Sequence, residues 1–372
     1  MNIPFLDLKR QYQPIKEEID EAIHRVVDSQ KFILGDEVRI FEEKLANYCG
    51  AKHAIGVSSG TDALLLSIKA HKITDDAITS PFTFFATAGA IYNAGAKPQF
   101  ADINPDTFNL DPKDLERKIT GNDKINAIIP VHLYGKTAEM ELIHEIAEDH
   151  DLTVIEDAAQ AIGAEYHEKK VGSMNTTCFS FFPAKNMGCY GDGGIITTND
   201  DEIAEKIRTL RVHGSKPKYY HHIIGHNSRL DALQAAILTV KLKYIDEWNS
   251  MRIKNAKFYN KNLRDIKGLE VPEIVPQNKH VFNQYTLRVT NGLRDDLKQF
   301  LNNRNISTAI YYPLPLHLQP CFSYLKYNKG SFPNSELASK EVLSVPIYPE
   351  ILKDELEYIC NSILEFFEKE IS

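Results

Sequence analysis

Long apolar runs are missing from this sequence. No stretch approaches the roughly 20 apolar residues that a bilayer-spanning helix needs, and the N-terminus, MNIPFLDLKRQYQPIKEEIDEAI, is charged where a secretory leader would carry an apolar segment. Membrane insertion is therefore not expected, and the expected compartment is the cytoplasm. Cysteine is sparse. The five cysteines (Cys49, Cys178, Cys189, Cys321, Cys360) are odd in number and scattered, with no C-x-x-C pair, which argues against zinc, a redox centre or a disulfide framework. Asn175 and Asn305, in N-x-[ST] contexts, then read as ordinary asparagines. Positive charge is also short. A formal net charge of -8 repels a polyphosphate backbone, so nucleic acid is not an expected partner, whereas a small anion needs only a local basic patch. The sequence has no G-x-x-x-x-G-K-[ST] nucleotide loop, no G-x-G-x-x-G dinucleotide fingerprint and no H-E-x-x-H metal motif.

What is present fits a large soluble globular protein. The 372 residues are 43% hydrophobic and 25% charged, which allows a sizeable core and two domains. From about residue 53 to 200, short β-rich runs (HAIGV, DDAITS, NAIIPV, LTVIED, TCFSFF, GGIITTN) alternate with helical stretches (GTDALLLSIKAH, ATAGAIYNAG, TAEMELIHEIAEDH). That rhythm predicts an α/β domain with a mainly parallel sheet and helices on both faces. Residues 14–29 and 36–48 read as amphipathic helices ahead of it. Near residue 229 a long helical pattern starts, with a bend or break expected near Trp248. Beyond it FNQYTLRVT, a helix around LRDDLKQFLNNRN, a strand STAIYY and a final helix DELEYICNSILEFFEKE predict a smaller α+β unit. The expected division is 1–245 and 246–372.

Three stretches carry chemistry. In HAIGVSSGTDALLLSI a strand runs through Ser58, Ser59, Gly60 and Thr61 straight into a helix, whose free N–H groups and positive dipole end suit a phosphate. Ordinary capping by Ser59 or Thr61 explains the same residues. In LTVIEDAAQAIGA an apolar strand ends at Glu156 and Asp157, at the sheet edge where open α/β folds place ligands. A buried acid there calls for a cation, although Asp157 also suits a helix cap; Gln160, three residues on, would share its face. In FSFFPAKNMGCYGDGG, Lys185 follows Pro183 and precedes glycines 188, 191, 193 and 194, which would let the backbone turn sharply and leave room for a bulky group. A desolvated lysine there would deprotonate readily and form a Schiff base with a carbonyl. The alternative is a surface lysine in a loop.

Taken together the three ask for one ligand with a phosphate, a protonated nitrogen and an aldehyde, and pyridoxal 5'-phosphate (PLP) has all three. Lys185 would hold the aldehyde, Asp157 the ring nitrogen, and Gly60 and Thr61 the phosphate, with Ser180 adding a hydroxyl. Phe84, in SPFTFFATAGA, would stack on the ring, or else is a core phenylalanine.

These residues give the chain a family likeness. From FLDL near residue 5 through SSGTDAL, PFTFFAT, VIEDAAQAIGA, SFFPAKNMGCYGDGG and NSRLDALQAAIL to YYPLPLHLQP, it resembles the DegT/DnrJ/EryC1/StrS sugar aminotransferases, which have the fold-type I aspartate aminotransferase fold. The resemblance implies PLP bound by Lys185, Asp157 at the pyridine nitrogen, Gln160 beside the cofactor, Phe84 stacked, and Gly60, Thr61 and Ser180 at the phosphate. It also implies a homodimer with shared active sites, in which Asn227 of the NSRLD motif reaches the neighbouring subunit's phosphate. Dehydratase relatives have histidine where this chain has Lys185, so transamination is implied, with glutamate as amino donor and a keto sugar nucleotide as acceptor.

The main basic run, IRTLRVHGSKPKYYHHIIGHNSRLD (207–231), gathers Arg208, Arg211, His213, Lys216, Lys218, His221, His222, His226 and Arg229 around Tyr219 and Tyr220. A solvated loop, a nucleic-acid arm and a clamp for a sugar diphosphate or carboxylate all fit its composition. Within the family this loop and QYTLRV are similar to enzymes that aminate C3 of UDP-2-acetamido-2-deoxy-3-oxo-glucuronate for O-antigen synthesis. On that likeness Arg229 would pair with the uronate carboxylate, and Tyr311 and Tyr312 would approach the sugar. Some of those relatives have histidine before the tyrosine, where this chain reads Tyr-Tyr-Pro. The alternatives are a 4-keto-6-deoxy nucleotide-sugar aminotransferase, an NAD-dependent sugar-nucleotide oxidoreductase, which VSSGTD argues against, and a non-catalytic regulator.

Overall fold

Helices open the chain because their apolar residues recur on one face. In Asp36–Cys49 the residues Val38, Phe41, Leu45, Ala46 and Cys49 are buried, and Gly50, at φ 76, closes the helix with its N–H on the carbonyls of Ala46 and Asn47. Lys16–Ser29 precedes it and buries Ile19, Ala22 and Val26. The computed structural model describes residues 1–275 and 277–371.

Seven strands then form the central sheet: β1 (His53–Val57), β2 (Asp76–Thr79), β3 (Lys97–Phe100), β4 (Ile125–Ile128), β5 (Thr153–Asp157), β6 (Thr176–Ser180) and β7 (Gly194–Thr198). Their order is β1-β7-β6-β5-β4-β2-β3. Pairs among β2 to β6 are parallel, and β7 runs antiparallel to both its neighbours. The apolar runs read from the sequence become largely buried strands, as expected for a sheet with both faces covered. β3 escaped the reading because Lys97–Phe100 is short and contains Pro98, which an edge strand tolerates.

A second, antiparallel sheet of Leu269–Glu270, Tyr285–Val289 and Val342–Val345 packs with the helices Arg294–Asn303 and Lys353–Ile371 around its own core of Tyr259, Tyr285, Leu287, Leu343, Ile359 and Ile363. Ile3, at the other end of the chain, also lies in that core, because its backbone pairs with Ile306.

Two expectations need correction. The long helix breaks before Trp248: it is Ala232–Lys241 and Ile245–Leu263, with Lys243 N–H on the Val240 carbonyl and Tyr244 N–H on that of Lys241 closing the turn. Glu18 holds the break by accepting from both Lys243 and Tyr244 side chains. STAIYY is not a strand; only Ile306 and Ala309 nearby make isolated bridges, and the strand in that sheet is Val342–Val345. Where the chain leaves the sheet, the Tyr134 hydroxyl donates to the Tyr311 carbonyl and ties it to the segment that follows β4.

Candidate active site

The carboxyl edge of the sheet gathers the motif residues. Asp157 is the last residue of β5 and is 5% exposed. Its Oδ2 accepts from the Thr87 hydroxyl at 2.7 Å and its Oδ1 from the Ala159 N–H at 3.1 Å. Burial pushes this carboxyl above the ordinary aspartate range, against the pull of those two bonds and of the Lys185 charge. A buried carboxylate held by neutral donors alone still lacks a cation.

Its neighbour Glu156 lacks nothing. His132 Nε2 lies 2.7 Å from Oε2 and Asn175 Nδ2 donates to Oε1 at 2.7 Å. Burial works to raise Glu156, yet His132 and Asn175 prevail and hold it below the usual glutamate range. Because His132 Nδ1 accepts from the Ala138 N–H at 3.1 Å, its hydrogen sits on Nε2, facing Glu156. The two adjacent acids therefore differ: Glu156 is spent on the fold and Asp157 is poised for a ligand.

Lys185 lies on a closed turn between β6 and β7. The Cys189 N–H returns to the Phe181 carbonyl at 2.8 Å, and the Lys185 N–H bonds the Phe182 carbonyl at 2.8 Å. Desolvation lowers the Lys185 amine to about 8, with Asp157 as the opposing charge. Nζ makes no hydrogen bond or ion pair among the described residues. Two of the glycines serve the sharp turn rather than room for a ligand. A Cβ at Gly188 would lie 2.3 Å from the Pro183 carbonyl oxygen, and one at Gly194 would lie 2.4 Å from the Ser59 carbonyl. Backbone, not ligand, fills that space.

The phosphate candidates also come together. Ser59 caps the helix Gly60–Ala70 by accepting from the Asp62 N–H at 3.1 Å, and a Cβ on Gly60 would stand 2.7 Å from Ser180 Cβ. The first-turn N–H groups at Gly60 and Thr61 have no helical carbonyl to bond. Asp62 ties this turn to the basic run, since its Oδ2 accepts from the hydroxyls of Ser58 and Ser228.

Gln160 accepts from the Tyr134 N–H at 2.6 Å through Oε1 and donates to the Tyr312 hydroxyl at 3.4 Å. Tyr312 is thus joined to Gln160, and burial followed by the Asp157 charge raises its phenol. Phe84 is not a core residue: it is 57% exposed, with its ring 6.3 Å from that of Tyr312. Tyr311 is half-buried, 6.0 Å ring to ring from Phe5. In the basic run, Arg211 is committed to Glu42 and the Gly56 carbonyl, and Lys216 to Glu205. Arg229 is half-buried and makes no hydrogen bond or ion pair among the described residues, and the exposed Asn227 side chain makes no hydrogen bond there either.

Comparison with known proteins decides the family. The model of the DegT/DnrJ/EryC1/StrS aminotransferase family matches residues 13–364. The chain belongs to that family. It is a sugar aminotransferase, a PLP-dependent transaminase. It is 52% identical over 99% of both chains to a pleiotropic regulatory protein of Geobacillus stearothermophilus. It is 43% identical to the UDP-2-acetamido-2-deoxy-3-oxo-D-glucuronate aminotransferase of Pseudomonas aeruginosa, covering 97% of this chain and 99% of that one. To the dTDP-3-amino-3,6-dideoxy-alpha-D-galactopyranose transaminase of Aneurinibacillus thermoaerophilus it is also 43% identical, covering 97% and 98%. The crystal structure of S. venezuelae DesV in complex with a ketimine intermediate superposes with a TM-score of 0.96 at 39% identity over 99% of both chains.

The residues at the sheet edge fit PLP. The sugar aminotransferase offers an unpartnered amine of lowered pKa, a buried carboxylate without a cation, and a glycine-lined helix N-terminus beside a serine. Two contributors were missed in the sequence. Thr87, which bonds Asp157, lies three residues after Phe84 on the same helical approach, so its spacing carried a signal. Tyr134, which braces Gln160 and Tyr311, gave none: its position depends on a left-handed backbone, φ 61.

Proposed function

We propose that this aminotransferase moves an amino group, taken from glutamate, to C3 of UDP-2-acetamido-2-deoxy-3-oxo-glucuronate, in bacterial O-antigen or surface polysaccharide synthesis. The observation that carries the substrate reading is Arg229, a half-buried guanidinium with no partner among the described residues. A planar fork left free at a sugar site suits a carboxylate. The 43% identical Pseudomonas relative acts on such a uronate by its name.

In this reading Lys185 would hold the cofactor's aldehyde, Asp157 its ring nitrogen, and Gly60, Thr61 and Ser180 its phosphate, with Gln160 and Phe84 contacting the ring. When bound, PLP supplies an electron sink for the bond broken at the amino carbon. The Asp157 carboxylate, costly in its buried setting, gains the cation it lacks and keeps the ring nitrogen protonated. The Lys185 amine, brought near 8, is free often enough at neutral pH to take a proton from the donor's carbon and return it to the acceptor's. The two halves run in turn, donor first. Tyr312, joined to Gln160 and near Asp157, would meet the sugar from the cofactor side, with Tyr311 beside it.

The proposed assembly is a homodimer in which Asn227 serves the partner's phosphate site. Large apolar side chains are exposed on the very segments that carry the site, Phe84, Phe85, Phe182 and Tyr190, and on the basic loop, Tyr219, Tyr220, Ile223 and Ile224. Such exposure marks an interaction surface. The division into residues 1–245 and 246–372 remains our proposal for the domains.

A neutral dTDP-linked keto sugar is the second reading, supported by the equally similar Aneurinibacillus transaminase. A panel of keto sugar nucleotides with glutamate, read by mass spectrometry of products, tests both. The uronate should be aminated fastest; preference for a neutral 6-deoxy keto sugar, with its carbonyl at C3 or C4, would replace the first reading with the second.

A further inference from the structure

A second lysine is buried against the turn that carries Lys185. Lys241, the last residue of the helix Ala232–Lys241, is 2% exposed and has no carboxylate within ion-pair distance among the described residues. Its ammonium is met by neutral groups: Nζ donates to the Gly188 carbonyl at 2.6 Å and to Gln11 Oε1 at 3.4 Å, and lies 4.7 Å from the centre of the Tyr190 ring. Desolvation lowers it to about 8. A charge buried with no contact ion pair, Cys189 and Glu350 acting on it only from a distance, is expensive, and an apolar side chain of the same length would pack there at lower cost. A role besides stability is therefore sought, and its main bond points to one.

Gly188 closes the turn that bears Lys185. The turn is pinned at each following alternate residue. Asn186 donates to Asn249 Oδ1 at 2.7 Å and to the Val281 carbonyl at 3.0 Å, and accepts from Asn283 at 2.8 Å. Gly188 is held by Lys241. Tyr190 exchanges both backbone bonds with Gln234, at 2.7 and 3.2 Å. Gln234 and Lys241 are two turns apart on one helix, so a single helix face grips Gly188 and Tyr190 on either side of Cys189. The contact at Gly188 leaves little slack, since even a Cβ there would strike the Pro183 carbonyl at 2.3 Å.

We propose that Lys241 is a positioning residue for the Lys185 amine: by holding the Gly188 carbonyl it fixes the turn from which Lys185 reaches the cofactor. Gln11, its second acceptor, belongs to the N-terminal segment whose Ile3 pairs with Ile306 and whose Arg10 binds Glu355 through both guanidinium nitrogens, at 2.6 and 2.7 Å. The turn is thereby also tied to the second domain. The inference rests on the reading of Lys185 as the cofactor lysine.

The test compares wild-type protein with Lys241→Met and Lys241→Arg. Three quantities are read: Tm, the rate of the half-reaction with an amino donor that wild type accepts, and the pH midpoint for acetylation of Lys185 in the cofactor-free protein, by peptide mapping. Lys241→Met should keep a Tm at or above wild type, lose on the order of 100-fold in rate with little change in KM, and raise the Lys185 midpoint by about one pH unit as the amine loses its desolvated seat. Lys241→Arg should recover part of both changes. A Met variant with wild-type rate and midpoint would overturn the proposal, as would a rate that falls only in step with Tm while the midpoint stays put. Should the Met variant not fold, Lys241→Leu, which likewise lacks a donor for Gly188, takes its place with the same expected losses; if that too fails to fold, Lys241 is structural and the proposal is wrong. Borohydride mapping of the wild type separates the two ideas: a label away from Lys185 removes the underlying reading, whereas a label on Lys185 with indifferent Lys241 variants removes only this inference.

Discussion

Gly60→Ala adds one methyl group where the account puts the phosphate. The new Cβ would stand 2.7 Å from Ser180 Cβ and 3.2 Å from Ser180 Cα, and no left-handed backbone prevents the substitution. Relief to ordinary contact requires a shift of about 1 Å between the helix N-terminus and the end of β6, a crowding that costs about 1–3 kcal/mol. Alanine returns up to ~1 kcal/mol through its helix propensity, so the cofactor-free protein should lose only about 0–2 kcal/mol. PLP affinity should fall further. A displaced Ser180 hydroxyl or helix N–H forfeits a charge-assisted bond worth about 1.5–3 kcal/mol, or roughly 10- to 100-fold in Kd. Titration of cofactor-free protein with PLP, followed by absorbance, measures this. The variant Gly60→Ala/Ser180→Gly removes the Cβ clash but leaves the 3.2 Å contact with Cα, so it should bind PLP better than the sum of the two single losses predicts. Wild-type affinity in Gly60→Ala, or strictly additive losses, would refute the reasoning.

Asp157→Asn removes a buried charge while keeping the shape, so the cofactor-free protein should be as stable as wild type or more so, while turnover falls on the order of 100- to 1000-fold; differential scanning fluorimetry beside an activity assay reads both, and a fully active variant would exclude the role given to Asp157. Lys185 carries a folded-state pKa of about 8 below its ordinary 10.5, so between those values the unfolded chain binds more protons and stability rises with pH. Lys185→Met should therefore flatten the rise in cofactor-free stability from pH 8 to 10.5; urea melts across that window with an unchanged slope would contradict the lowered pKa. Arg229→Ala should weaken a uronate substrate about 10- to 100-fold in KM and a neutral sugar far less; equal losses would defeat its assignment.

The sequence disclosed what depends on neighbours along the chain. An apolar strand ending in Glu156-Asp157, a strand running into Ser59-Gly60-Thr61, and Lys185 between an aromatic strand and glycines are local patterns, and each took the expected place at one sheet edge. What stayed hidden depends on chain segments far apart. Which of two adjacent acids is free is decided by His132 and Asn175, which hydrogen-bond both oxygens of Glu156 and leave Asp157. Why Gly188 and Gly194 are glycine is decided by the carbonyls of Pro183 and Ser59. Why the helix breaks before Trp248 is decided by Glu18. Likewise, the basic run looked uniform in sequence, and only the fold separates the committed Arg211 from the unpaired Arg229.

The central claim is that PLP is attached to Lys185. Treatment of the yellow holoprotein with borohydride, followed by proteolysis and mass spectrometry, should place a reduced pyridoxyl group on the peptide containing FSFFPAKNMGCYGDGG, at Lys185. A label on Lys241 or any other lysine, or no label in protein that still transaminates, would contradict it.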